Sequence, residues 1–245
     1  MKTENVIEIR NLKKAFGATP VLKGIDLDLH NGENIAILGQ SGTGKSVLIK
    51  CIVGLITADS GTIKVIEKDL LDLNNAELAE LRQKIGYLFQ GGALYDSMTV
   101  RQNLEFPVRR TQILKGKKNE VNDMVKEALE NVGLLDAIDK MPSELSGGMK
   151  KRVGLARTLI LKPRIILYDE PTTGLDPVSS GEISELILEV QEKYNTSSII
   201  ITHDMKCAEI TANRLKLMVD GKFYSEGTFN ELKESDDKKI NAYFK

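Results

Sequence analysis

The octapeptide Gly39-Gln40-Ser41-Gly42-Thr43-Gly44-Lys45-Ser46 constrains this chain more than any other stretch. It fits G-x-x-x-x-G-K-[ST], follows the apolar run Ile35-Ala36-Ile37-Leu38, and precedes an apolar helix predicted over residues 47–55. The glycines let the backbone curl so that successive N–H groups point inward, and the helix N-terminus adds partial positive charge there. Such a loop cradles phosphate, with Lys45 reaching the β- and γ-phosphates and Ser46 offering a hydroxyl to Mg²⁺. The bland alternative is a glycine-rich turn at a helix start. A strand, loop and helix in this order is the context that the phosphate-loop reading needs.

A second apolar run, Ile165-Ile166-Leu167-Tyr168, ends in Asp169-Glu170. An acid at the carboxyl end of a buried strand sits at the sheet edge where such a loop lies, so Asp169 can hold Mg²⁺. Glu170 can turn to the γ-phosphate and polarise a water. Leu145-Ser146-Gly147-Gly148-Met149 opens another predicted helix, from about Gly147 to Leu161 with Pro163 as its stop. Ser-Gly-Gly at a helix start is either a second anion-binding device or a flexible helix cap. Two phosphate-binding devices in one chain suggest a site shared between two chains.

Around these motifs the pattern alternates. Ile25, Leu27 and Leu29 alternate with Asp26, Asp28 and His30, the period of a half-buried strand, and Asn31-Gly32 reads as a hairpin turn. Val121, Met124, Val125, Ala128, Leu129 and Val132 fall at helical spacing before Gly133. Ser197–Thr202 reads as a further strand after a helix face of Ile183, Leu186, Ile187 and Val190. Strands alternating with helices predict parallel strands with crossover helices. Asp220-Gly221 predicts a hairpin, and Thr228 with Glu231 a capping box.

Composition excludes several classes. The 245 residues are 41% hydrophobic, enough for a sizeable core. Lys+Arg 34 against Asp+Glu 35 gives a net charge of -1, which argues against nucleic acid as a partner. Cys51 and Cys207 lack metal-ligand spacing and read as buried small hydrophobes, in keeping with a reducing cytosol. Residues 1–12 lack the apolar run of a signal peptide, and no apolar run approaches the ~18 residues that span a bilayer. A membrane role would therefore run through partners. The basic runs 115–118 and 150–152 read as solvated faces.

The phosphate loop, Gln90 after a strand at 85–89, residues 145–149, Asp169-Glu170, Gly174-Leu175-Asp176 and His203 after Ser197–Thr202 together resemble the ATPase subunits of ATP-binding cassette (ABC) transporters. The resemblance spans nearly the whole chain. It implies a P-loop α/β domain with a RecA-like, mostly parallel core, an antiparallel β subdomain and a helical subdomain near residues 91–160, all within one ATPase domain over 1–245. It also implies ATP held by Gly39, Gln40, Ser41, Gly42, Thr43, Gly44, Lys45, Ser46 and Val47, with Ser46, Gln90 and Asp169 as the Mg²⁺ set. Two copies would pack head to tail, each ATP lying between one phosphate loop and the partner's Ser146-Gly147-Gly148. In that arrangement Glu170 is the base, His203 contacts the γ-phosphate, Gln90 senses the nucleotide, and Asp176 works across the interface. Phe16 is either the ring that stacks on adenine or a strand core residue. The family pattern ends its signature in Gln, where this chain has Met149.

Residues 89–100 and 103–107, and with them 145–152 and 167–177, most resemble the ATPases of Mla/Mce-type phospholipid transporters. That resemblance implies a transmembrane permease pair, an Mce-domain lipid-binding protein, and a position on the cytoplasmic face of the inner membrane. Leu94, Tyr95 and Met98 would be either exposed permease contacts or local core. A soluble ABC-type ATPase acting on DNA or ribosomes would need a coiled-coil insertion or a second cassette, and 245 residues with one phosphate loop leave room for neither.

Overall fold

The computed structural model describes residues 4–111 and 117–244. Residues 1–3 of the amino-terminal stretch, and Lys115 of the first basic run, lie outside the described residues.

Two sheets form, and their burial patterns say why. β1 (Asn5–Phe16) and β2 (Thr19–His30) pair antiparallel, with β4 (Ser60–Val65) and β5 (Lys68–Asp69) beyond, in the order β2-β1-β4-β5. Leu22, Ile25, Leu27 and Leu29 of β2 are buried. Asp26 on the opposite face is exposed, as the alternation requires. The second sheet runs β10-β9-β3-β8-β7-β6. It contains β3 (Asn34–Leu38), β6 (Ile85–Leu88), β7 (Ile165–Asp169), β8 (Ser197–Thr202), β9 (Arg214–Val219) and β10 (Lys222–Gly227). All neighbours are parallel except β9 and β10, which make the hairpin predicted at Asp220-Gly221. Both turn residues there have positive φ, +48° and +78°.

Every residue of β3, β7 and β8 is buried. Ile35, Ile37, Leu167, Ile199 and Ile201 pack toward the β1–β2 sheet, while Ile166, Tyr168 and Ile200 pack into the helical core on the other face. The sheet topology overturns one expectation. Asn31-Gly32 is not a hairpin turn, because β2 and β3 belong to different sheets. Both edges of β3 are taken by β8 and β9, so neither is left for β2. Gly32 (φ +74°) instead turns the chain from one sheet to the other, held by Ser197 Oγ at 2.8 Å and Gln191 Nε2 at 2.7 Å. The β9–β10 tip fastens the sheets together. Lys23 N donates to Gly221 O at 2.9 Å, and a Cβ at Gly221 would lie 2.2 Å from Val21 O.

The helices are α1 (Lys45–Ile52), α2 (Asn75–Gln83), α3 (Val100–Arg110), α4 (Lys118–Glu130), α5 (Gly147–Leu159), α6 (Pro177–Tyr194), α7 (Met205–Thr211), α8 (Phe229–Lys233) and α9 (Lys238–Asn241). α3, α4 and α5 bury one another through Leu104, Val125, Leu129, Val153 and Leu155. Thr228 caps α8 in the predicted capping box. Both cysteines are free and buried, and burial pushes each thiol up to about 11. Among the described residues, no helix is long and apolar enough to cross a membrane.

Candidate active site

α1 begins with its N–H groups free. Its N-cap is Gly44, left-handed at φ +104°, and no side chain caps it. The first N–H groups of a helix without a cap need an acceptor from elsewhere, and an anion at this end is favoured by the dipole. Gly39 brings the loop against β9, where a Cβ would lie 2.6 Å from Met218 O. Lys45 is 6% exposed and donates from Nζ to Gly39 O (2.6 Å) and Gln40 O (3.0 Å). Burial lowers its pKa, and Glu170 and Asp169 oppose that shift.

β3, β7 and β8 deliver the remaining groups to one edge. Asp169, at the end of β7, accepts from Ser46 Oγ at 3.0 Å on Oδ1 and from the Tyr87 hydroxyl at 3.1 Å on Oδ2. Burial raises the Tyr87 pKa and Asp169 adds to the shift, so the phenol stays a donor. Glu170 sits in the left-handed region at φ +53°, a conformation costly for a residue with a Cβ. It is held from all sides. Its N–H donates to Ile201 O (2.9 Å), and its carbonyl accepts from Thr173 N (3.3 Å) and Lys151 Nζ (3.2 Å). Its Oε2 meets Thr173 Oγ1 at 3.1 Å and His203 Nδ1 at 2.7 Å. The His203 ring is exposed, whereas the Glu170 carboxylate is mostly covered. A carboxylate paired to a ring nitrogen, beside a second carboxylate and at the open end of a helix, suits proton abstraction from water next to bound phosphate.

The chain brings together Lys45, Ser46, Asp169, Glu170 and His203. Ser146, Gly147, Gly148 and Asp176 form a second group. Ser146 Oγ caps α5 by accepting from Met149 N at 3.2 Å. Gly147 lies beside Leu175 and Gly148 beside Ser179. Asp176 caps α6, accepting from Val178 N, Ser179 N and Ser179 Oγ. Gln90 is exposed, and its carbonyl accepts from Lys151 Nζ. Phe16 ends β1 with 49% of its surface exposed, so it is not a core residue, and Lys14 Nζ lies 5.5 Å from its ring centroid. Met149 is half-buried against the helical core. Tyr95 is 44% exposed and its ring packs at a tilt against Phe106, centroids 4.8 Å apart. Leu94 is half-buried and packs inward, and Met98 is half-buried too, so only Tyr95 of that trio is openly exposed.

The run 150–152 is not a solvated face. Lys151 is 6% exposed and Arg152 pairs with Glu182 at 2.8 Å. Lys151, Leu155 and Leu159 recur every four residues on the buried face of α5, and that spacing was the available signal. Tyr87 and Thr173 were likewise not anticipated. Finding Tyr87 requires knowing that β6 pairs with β7. Of the run 115–118, Lys117 is exposed and pairs with Glu120 at 3.1 Å.

A glycine loop with free helix N–H groups and a carboxylate-ended strand beside it define a P-loop nucleoside triphosphatase. The chain belongs to the ABC transporter family, whose sequence profile matches residues 22–173. It is 38% identical over 242 residues to the intermembrane phospholipid transport ATP-binding protein MlaF of Haemophilus influenzae, covering 99% of this chain and 91% of that one. It is 39% identical over 229 residues to the methionine import ATP-binding protein MetN of Clostridium tetani, covering 94% of this chain and 70% of that one. Among solved structures it resembles the dimeric cassette MJ0796 in a post-hydrolysis state bound to ADP and Pi, at TM-score 0.83 and 29% identity, with 91% of this chain and 98% of that one covered. The protein is an ATP-hydrolysing ABC transporter subunit.

Proposed function

We propose that this ATPase works as a head-to-tail pair that drives phospholipid transport through a permease. The observation that carries the catalytic part is the Glu170 carboxylate, 2.7 Å from His203 Nδ1 and adjacent in sequence to the Asp169–Ser46 pair. Glu170 takes the proton of the attacking water, and His203 orients that carboxylate and meets the γ-phosphate. Lys45 leaves the carbonyls of Gly39 and Gln40 for the β- and γ-phosphates, joining the free N–H groups of α1. Phe16, exposed at its strand end, offers adenine a flat ring.

Ser46 and Asp169 present oxygen donors already 3.0 Å apart, the hard ligands that Mg²⁺ takes when phosphates and water complete its shell. Gln90 adds an amide oxygen from the neighbouring loop. Mg²⁺, when bound there, neutralises charge on the phosphates.

In the second group, Ser146 and Asp176 each cap their own helix, and Ser146 and Gly147 at the start of α5 are exposed. That supports the reading in which this group serves the partner's nucleotide; MJ0796, a relative by structure, is described as a dimer. The variant Ser146→Arg puts a bulky cation there while leaving its own phosphate loop untouched. It is expected to bind ATP within about threefold of wild type yet form no ATP-dependent dimer, since crowding and misplaced charge act only across the interface. Light scattering with Mg²⁺-ATP checks this, and dimers at wild-type affinity would sink the trans contact.

For cargo, support comes from the similarity of residues 89–107 to Mla/Mce-type ATPases, and from MlaF among the relatives. That segment begins the helical subdomain near 91–160. The exposed Tyr95 lies in this segment. Phe106, packed against Tyr95, helps line a groove of about 310 Å³ with Ser97, Met98, Gln102 and Arg109, where a permease helix would dock. MetN, at 39% identity, makes a small-solute permease the second reading. The partners proposed are a permease pair at the inner membrane and an Mce-domain protein. Co-purification with the neighbouring genes' products tests both. Phospholipid in nanodiscs is expected to change ATP turnover of the complex. Turnover that ignores phospholipid and responds to a soluble solute removes the lipid reading and leaves the ATPase assignment.

A further inference from the structure

We propose that Lys151 is a positioning residue for hydrolysis, fastening the Gln90 and Glu170 peptides to α5 so that the base and the Gln90 loop move as one body with the helix that begins at Ser146. This inference rests on Glu170 being the base.

Lys151 lies on the buried face of α5 with Val153, Leu155 and Leu159. An ammonium in that place is costly unless its hydrogen bonds are met, and a methionine would fill the space without that cost. No carboxylate lies within ion-pair distance of Lys151 among the described residues. Its partners are two neutral carbonyls, Gln90 O and Glu170 O, the latter at 3.2 Å. They belong to segments 80 positions apart, at the ends of adjacent strands β6 and β7. One side chain thus ties two strand ends to a helix.

The Glu170 carbonyl matters because that residue is left-handed. A non-glycine residue at φ +53° persists only where its surroundings hold it. Ile201 O takes its N–H, Thr173 N and Lys151 Nζ hold its carbonyl, and of these anchors only Lys151 comes from the helical segment. The Gln90 side is held to the same helix a second time. Arg157 of α5 donates to Gly92 O at 3.0 Å and Ala93 O at 2.8 Å. Gly154 of α5 comes so close that a Cβ there would lie 3.2 Å from Gly92 O. The loop after Gln90 is therefore docked on α5, and Lys151 extends that dock to Glu170.

Lys151 lies five residues beyond Ser146, about 7.5 Å along the helix axis. A shift of α5 when Ser146 engages the other nucleotide would carry the Glu170 peptide with it. Misplacing a catalytic group by about 1 Å can cost on the order of 10²-fold in rate.

The test compares full-length Lys151→Met and Lys151→Gln with wild type for kcat and for equilibrium binding of ATP. Methionine keeps the volume and removes every donor. Glutamine is one atom shorter, keeps two N–H donors, and restores part of the bridge. Lys151→Met is expected to lower kcat about 30-fold or more, and Lys151→Gln about 3–10-fold, with ATP affinity within about threefold of wild type in both. The order wild type, Gln, Met in kcat at constant affinity supports the proposal. Wild-type kcat in either variant overturns it, and so does affinity that falls in step with kcat. If Lys151→Met does not fold, Lys151→Gln decides on the same two criteria. Glu170→Gln runs alongside. Wild-type turnover there overturns the reading of Glu170 as base, whereas an inactive Glu170→Gln beside a fully active Lys151→Met overturns the role of Lys151 alone.

Discussion

Glu170→Gln is expected to bind ATP normally, to slow hydrolysis by about 10²–10⁴-fold, and to trap an ATP-dependent dimer. The substitution is clean for structural reasons. What holds residue 170 at φ +53° is its peptide, through Ile201 O, Thr173 N and Lys151 Nζ, and none of these bonds involves the side chain. Glutamine keeps the volume, and its amide oxygen can still accept from Thr173 Oγ1 and from His203. It cannot take a proton from water at neutral pH. Binding groups in the loop and α1 are untouched, so the loss falls on kcat, as expected for an interaction made only in the transition state. Phosphate release in a single turnover measures the rate, and light scattering with Mg²⁺-ATP measures the dimer. Wild-type release, or a mass unchanged by ATP, contradicts the role given to Glu170.

The candidate site was legible in the sequence where it is built from contiguous residues. Gly39 to Ser46 lies between a strand and a helix because both neighbours are defined by short, dense apolar runs. β3 and β8 occupy Asn34–Leu38 and Ser197–Thr202, the apolar runs read as strands from the sequence. Features that depend on which strands are neighbours leave no such local mark. Asn31-Gly32 has hairpin chemistry, yet β3 pairs with β8 and β9, strands more than 160 positions away, and no local signal carries that pairing. Tyr87 became part of the site only because β6 lies beside β7, which puts its hydroxyl on Asp169. Lys151 was hidden by a different cause. Three adjacent cations read as a polar face, but at one residue per 100° of helix they point in three directions, and the middle one turns inward.

Asp176 and Ser146 show a related limit. Both have complete structural explanations within one chain, as N-caps of α6 and α5. A cap and an interface contact are compatible, since a serine hydroxyl that accepts from a backbone N–H still has its own proton to donate. The single-chain geometry therefore leaves Ser146 able to donate outward, which is the orientation that a phosphate from a second copy requires.

Lys45→Ala is expected to remove both steps: turnover to about 1% of wild type or less, and ATP affinity weakened by at least about tenfold. Two losses combine. The ammonium that would meet the β- and γ-phosphates of bound ATP is gone, and so is the charge that would follow onto the γ-phosphate during transfer; the bonds to Gly39 O and Gln40 O, at 2.6 and 3.0 Å, are ones that Lys45 gives up on binding and add nothing to the loss. The contrast with Lys151 is the discriminating feature. Both are buried lysines whose pKa is lowered by burial and supported by Asp169 and Glu170. If buried positive charge at this sheet edge were all that mattered, the two substitutions would behave alike. Lys45 is proposed to reach the phosphates, so its loss is expected in binding as well as in rate. Lys151 reaches only peptides, so its loss is expected in rate alone. Titration of nucleotide binding by calorimetry on the two variants separates these outcomes. Normal turnover in folded Lys45→Ala would sink the assignment of the phosphate loop, and unchanged ATP affinity would confine Lys45 to the chemical step.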